Sequence, residues 1–145
     1  MSTERTVYQS MPRRLLASLP PGASVHEAAC LMTRANCGSV LVVDTGARIL
    51  GIVTERDLMT RVLAKALDPA GTTLAGVMTP NPRCVGPDTK VADAVLIMIE
   101  RGFRHLPVVA DNGSILDVFS VRDALPREIG TAVGLAEFNE QVNDS

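Results

Sequence analysis

GIVTERDLM, residues 51–59, carries a β-branched apolar run straight into charged residues, with a hydroxyl at Thr54 and a carboxylate at Asp57 where the pattern changes. The apolar run reads as a buried strand, and a hydroxyl followed three residues later by an acid reads as the start of a helix. Taken alone, Thr54-x-x-Asp57 is an ordinary cap. The pattern returns, however, as DVFSVRDAL at residues 117–125, where Ser120, Arg122 and Asp123 stand 66 positions after Thr54, Arg56 and Asp57. A cap requires no arginine two residues in and no common register, so the pair points to a duplicated unit.

The duplication extends without a gap from residues 17–59 onto 83–125. Pro21, Val25, Ala28 and Met32 fall on Pro87, Val91, Ala94 and Met98, and Val42-Val43 and Ile49-Leu50 fall on Val108-Val109 and Ile115-Leu116. Each copy has the same local grammar. SVHEAACLMTRAN (24–36) places Ser24 as a cap and its apolar residues at helical spacing, with Met32, like Met98, as a core filler. SVLVVD (39–44) and ILGIVT (49–54) are strands of a hairpin joined by TGAR, and ERDLMTRVLAKAL returns to helical period before the turn-rich DPAGTT. The second copy repeats this with a helix over 90–101, strand HLPVV, turn DNGS, strand ILDVFS and a shorter helix from Val121 that Pro126 limits. The tail after it either docks as a short helix or frays.

Composition narrows the function. A chain of 145 residues with 46% hydrophobic and 21% charged residues and a formal net charge of -2 is that of a globular protein. It has no basic excess, and Tyr8, Phe103, Phe119 and Phe138 are its few aromatic residues, which argues against a nucleic-acid surface. Its apolar stretches are shorter than the roughly 20 residues that cross a bilayer, so no membrane partner is expected. Without an apolar leader, a cytoplasmic location is the default. Cys30, Cys37 and Cys84 lack paired metal-ligand spacing and read as buried free thiols. There is no P-loop and no nucleophile-base pair, and His26 and His105 lie in different copies without acidic or cysteine partners at motif spacing. No catalysis and no metal are therefore expected.

Tandem β-α-β-β-α units, MTP (78–80) before the second, RHLPVV (104–109) and two hydroxyl-x-Arg-Asp junctions together resemble a cystathionine β-synthase (CBS) domain pair, or Bateman module. The resemblance covers residues from about 9 to 127. It implies an α+β fold in which two CBS repeats pack sheet to sheet as one pseudo-twofold module, with repeat 1 over residues 9–66, a linker over 67–76, repeat 2 over 77–127 and a C-terminal tail over 128–145. It also implies clefts between the repeats for adenosine ligands (AMP, ADP, ATP, NAD or S-adenosylmethionine), and association into a homodimer.

The residue chemistry suits that implication. An ionised carboxylate can accept hydrogen bonds from both hydroxyls of a ribose, the role the family position gives Asp57 and Asp123. Thr54 and Ser120 lie within reach of ribose or α-phosphate, and free N-H groups at the helix start favour an anion. Arg56 and Arg122 are placed to pair with phosphate oxygens. Backbone groups beside Ser39, Val40, His105 and Leu106 would read adenine, with Thr79 and the main chain near Arg83 as further candidates; Arg13 and Ala17 are the repeat counterparts of Thr79 and Arg83. The second copy has Asp117 where the first has Gly51, and an Asp there also occurs in nucleotide-binding repeats of the AMP-activated protein kinase γ subunit, which ILDVFS resembles. Arg101, Arg104 and Arg122, against Arg34 and Arg56, lead us to expect the second copy to favour phosphorylated ligands more.

The expected function is a stand-alone regulatory module that senses adenosine nucleotides for an unknown effector protein, with the nucleotide as regulatory ligand and no required cofactor. The alternatives are a ligand-free dimerisation scaffold in which both junctions are caps, and an S-adenosylmethionine-binding module. An enzyme subunit detached from its catalytic domain has the same sequence signature.

Overall fold

The structure is a computed structural model, and it describes residues 4–11 and 16–144. In chain order the elements are α1 (Val7–Ser10), β1 (Ser18–Leu19), α2 (Val25–Ala35), β2 (Ser39–Val43), β3 (Ile49–Thr54) and α3 (Glu55–Asp57), which continues as a π-helical turn over Leu58–Leu63. A 3-10 turn (Leu74–Gly76), β4 (Thr79–Pro80), α4 (Val91–Arg101), β5 (His105–Val109), β6 (Ile115–Ser120), a second 3-10 turn (Val121–Asp123) and α5 (Pro126–Asp144) follow. They form two compact units, one of residues 16–82 and one of residues 83–144 with residues 4–11. The fold is α+β, built on the two repeats.

In the first unit the sheet order is β1-β2-β3-β4, with β1 parallel to β2 and the other pairs antiparallel. Ser24 caps α2 through its hydroxyl, which accepts the Glu27 N-H at 3.0 Å. The apolar face that this start sets in phase, Val25, Ala28 and Met32, packs with Val40, Val42 and Val53 of the hairpin into one core. Asp44 and Ala47 shape the hairpin turn. Asp44 Oδ1 accepts the Gly46 and Arg48 N-H groups, both at 2.9 Å, and Ala47 sits at φ +62°. The same turn position in the second copy is Gly113, at φ +88°, where the conformation costs nothing.

In the second unit the β5-β6 hairpin reproduces the register of β2-β3, including the shift at Val109 that mirrors the shift at Val43. Its first strand does not reproduce β1. Leu41 donates its N-H to the Ala17 carbonyl at 3.0 Å, but the matching residue in the second copy is Pro107, which has no N-H. Only the bridge Val85↔Val108 remains of the pairing. Val91, Ala94, Val95 and Met98 of α4 close the core over Leu106, Val108 and Phe119.

The repeats do not use their own leading segments. Residues 72–75, which precede the second repeat, dock on the first: Val25 N-H reaches Thr72 O at 2.9 Å, Leu74 N-H reaches Ala23 O at 2.9 Å and Ala75 N-H reaches Pro21 O at 3.1 Å. Residues 5–8 do the same for the second repeat, with Val91 N-H to Arg5 O at 2.9 Å, Val7 N-H to Thr89 O at 2.7 Å and Tyr8 N-H to Pro87 O at 3.2 Å. Leu74 and Val7 plug the two cores, both fully buried.

The helix expectations at the C-terminal end are corrected in part. The turn over Val121–Asp123 stops before Pro126, as expected, but Pro126 also begins α5, since proline suits a first helical position where no N-H partner is needed. Glu128 Oε1 accepts the Leu125 N-H at 2.7 Å, and the Leu125 carbonyl takes the Glu128 and Ile129 N-H groups. The tail is thus a 19-residue helix packed on α4 through buried Ala132. The thiol expectation also fails at Cys30, which is exposed on α2, while Cys37 and Cys84 are half-buried.

Candidate functional site

At the first junction β3 ends at Thr54 in extended geometry and the chain turns into α3. The Glu55 N-H donates to Gly38 O at 3.0 Å, which ties the turn to the residue before β2, and Thr54 is the cross-strand partner of Ser39. Asp57 folds back onto Thr54. Its Oδ2 accepts the Thr54 N-H at 2.9 Å and the Thr54 hydroxyl at 3.1 Å, while Thr54 Oγ1 accepts the Asp57 N-H at 3.3 Å. This is a reciprocal capping box, so the cap half of the sequence reading is present in full. The second oxygen, Oδ1, faces Arg61 Nε at 3.6 Å. A carboxylate offers about four lone-pair sites, so the box leaves acceptor capacity for a ribose hydroxyl.

Arg61 is the residue that the sequence reading missed. Its Nη1 donates to the carbonyls of Val77 at 3.0 Å and Met78 at 3.3 Å, so one guanidinium joins the Asp57 carboxylate to the segment leading into β4. The available signal was the acid-to-arginine spacing of four along one helix face.

The second junction is built alike. Val121 N-H donates to Arg104 O at 3.2 Å, Asp123 Oδ2 accepts the Ser120 N-H at 3.1 Å, and Ser120 Oγ accepts the Arg122 N-H at 3.3 Å. Ser120 is the cross-strand partner of His105 and Phe119 that of Leu106. An additional clamp has no match in the first junction among the described residues: Arg5 Nη2 donates to the Asp123 carbonyl at 3.1 Å and to Glu128 Oε1 at 2.8 Å, and Arg5 Nε donates to Glu128 Oε2 at 3.1 Å. The Arg5 guanidinium holds the Glu128 carboxyl below its usual range against the opposing effect of burial, and Glu128 in turn raises Arg5.

Ser39, Val40, Thr54, Arg56 and Asp57 thus gather in the first unit and His105, Leu106, Ser120, Arg122 and Asp123 in the second. Val40 and Leu106 are fully buried and Ser39 nearly so, which confines any ligand contact to their backbone edge. Arg56 and Arg122 are exposed. Thr79 and Arg83 part company: Thr79 pairs with Ile52 at the edge of the first sheet, and Arg83 belongs to the second unit. Ala17 lends its carbonyl to β2, and Arg13 lies outside the described residues. The expectation of free N-H groups is corrected in part, because Glu55 and Asp57, like Val121 and Arg122, have already given theirs to protein oxygens. An anion there relies on the arginine side chains.

Gly51 and Asp117 differ for a local reason. A Cβ on Gly51 would stand 2.5 Å from Met78 Sδ and 2.8 Å from the Thr79 carbonyl, so the approach of β4 forbids a side chain. At the repeat position in the second sheet, which has two strands, Asp117 is buried and accepts the Val118 N-H at 2.7 Å. Among the described residues no group of three or more His, Cys, Asp or Glu side chains could hold a metal, and no helix is long and apolar enough to cross a membrane. His26 has a cysteine neighbour one turn along α2: Cys30 Sγ lies 3.7 Å from its Nε2.

The CBS domain profile matches residues 9–64 and 74–128. The chain is 43% identical over 103 residues to the meiotically up-regulated gene 70 protein of Schizosaccharomyces pombe, an alignment that covers 67% of this chain and 14% of that protein. Among solved structures, a CBS domain protein from Pyrobaculum aerophilum complexed with AMP superposes with a TM-score of 0.79 at 26% identity, covering 91% of this chain and all of that one. A putative signal-transduction protein with CBS domains from Burkholderia ambifaria superposes with a TM-score of 0.74 at 32% identity, covering 81% of this chain and 86% of its own.

Proposed function

The chain belongs to the CBS domain family, and on that premise we propose that it is a regulatory module that binds adenosine nucleotides at its two strand-to-helix junctions and performs no catalysis. The observation that carries this reading is the division of labour within Asp57. One oxygen is fixed by Thr54, so the carboxylate is oriented before any ligand arrives, and the other meets Arg61 Nε only at 3.6 Å, which leaves it lone-pair capacity for a further donor. Thr54, Asp57, Ser120 and Asp123 are the ribose-side residues of this proposal, with Arg56 and Arg122 on phosphate. Ser39, Val40, His105 and Leu106 lie along the adenine edge. Thr79 and Arg83 complete the set, each within its own unit. The Pyrobaculum aerophilum relative complexed with AMP supports the choice of an adenosine ligand.

Regulation works through mass action, a nucleotide shifting the population toward the conformation or association state it prefers. A homodimer and a cytoplasmic location belong to the same proposal, as does an effector protein that reads the state. Met59, Leu63 and Leu67, spaced by four and exposed on the first unit, support association. The closed capping boxes favour one rival, a ligand-free scaffold.

Thermal shift separates the two. A ligand that binds only the folded state adds roughly 2.7 kcal/mol at about 100 times its Kd, or about 5 to 10 °C for a chain of this size. AMP, ADP, ATP, NAD and S-adenosylmethionine are tested on nucleotide-free protein against GTP and CTP. An adenosine-selective rise supports sensing; no rise with any adenosine compound leaves the scaffold.

A further inference from the structure

The outer face of α2 carries a side-chain cluster that neither junction uses. His26, Cys30 and Arg34 recur every four residues, which stacks them along one side of the helix. Together with Ser18 and Leu19 of β1, and with Glu27 and Leu31 between them, they line an open surface cavity of about 470 Å³. The Cys30 thiol is exposed and lies 3.7 Å from His26 Nε2. The other two thiols are differently placed. Cys37 is half-buried and donates to the Ser39 carbonyl at 3.4 Å, and burial pushes the half-buried Cys84 thiol up, against a smaller opposing effect of Arg83.

We propose that Cys30 is a modification site that forms a mixed disulfide with a small anionic disulfide. In the tautomer that leaves Nε2 bare, His26 takes the thiol proton as the Cys30 sulfur attacks one sulfur of the reagent. The reagent's S-S bond breaks as the new one forms, one half stays on Cys30, and the other leaves as a thiolate that collects the proton from His26. One disulfide is consumed and one is made, so the step needs no further oxidant. Arg34, one turn beyond Cys30, meets the anionic group of the reagent; Glu27 opposes it as the one acid of the lining, and β1 contributes no charge.

Reaction rates on the full native chain test this, with the anionic dithiobis-nitrobenzoate and the neutral dithiodipyridine as probes and peptide mapping to assign each thiol. Cys30 is expected to react first, about threefold or more faster than the same cysteine in a peptide spanning the α2 sequence. Cys30→Ser should abolish this fast phase. His26→Gln should slow both probes, whereas Arg34→Gln and added salt should slow only the anionic one. A Cys30 rate equal to that of the peptide overturns the proposal. So does a fast rate indifferent to His26→Gln and Arg34→Gln, because exposure alone then explains it.

Discussion

The carboxylate of Asp57 closes on Thr54 through one oxygen, Oδ2, which accepts both the Thr54 N-H at 2.9 Å and the Thr54 hydroxyl at 3.1 Å. Cap and ligand site are therefore compatible in a single residue: the box fixes the side chain and the second oxygen points elsewhere. Removing the whole carboxylate should cost what a lost cap costs, so Asp57→Ala is expected to lower the stability of nucleotide-free protein by about 0.5 to 2 kcal/mol. Asp57→Asn keeps one oxygen acceptor and should cost less, as read from urea unfolding.

Gly51→Ala is expected to destabilise the first unit by roughly 1 to 3 kcal/mol, the ordinary cost of overpacking, because the Thr79 carbonyl 2.8 Å from the new methyl is backbone and cannot swing aside. Ala47→Gly should do the reverse. A non-glycine residue at φ +62° carries a penalty of about 1 kcal/mol that glycine relieves, and unfolding midpoints of the two variants should move in opposite directions.

These contrasts show how far the sequence was legible. The hairpins, the first helix of each repeat and the matched positions of Thr54 and Ser120 follow from periodicity and a fixed offset, since one face of each element must meet the same core. The exchanged leading segments did not follow. Val7 and Leu74 are equivalent at an offset of 67, one residue out of step with the repeat, and only the identical Thr6 and Thr73 or Met11 and Met78 mark them. Pro126 marks a stop in the sequence, but that it also opens α5 does not follow, because local preference does not say whether a new helix begins at a proline. Arg61 was missed because its carbonyl partners lie 16 and 17 residues away, beyond any local pattern.

Val7→Ala and Leu74→Ala should weaken opposite units. Each fully buried aliphatic side chain contributes roughly 1.5 to 3 kcal/mol, and Val7 packs with α4 and β5 while Leu74 packs with α2 and β2. Hydrogen exchange should show faster opening around residues 91–101 for Val7→Ala and around residues 25–35 for Leu74→Ala.

Glu128 gives the second unit a pH dependence of defined sign. Its carboxyl is held below the ordinary value of 4.5, chiefly by the Arg5 hydrogen bond, so its stabilisation is present above that value and is lost as pH falls through the lower folded one. Glu128→Gln should flatten the acid limb in that window. At neutral pH it should cost about 1.5 to 3 kcal/mol, the worth of a charge-assisted bond.

Calorimetric titration of an adenosine nucleotide into the parent, Asp57→Asn and Asp123→Asn proteins tests the central claim most directly. The amide keeps one acceptor where the carboxylate offered two and weakens charge-assisted bonds by roughly 1.5 to 3 kcal/mol, so affinity at the altered junction should fall about tenfold or more. Each variant should lose a different binding event and keep the other, with the folded state intact. If both bind the nucleotide as the parent does, Asp57 and Asp123 only cap their helices and the junctions are not the ligand sites.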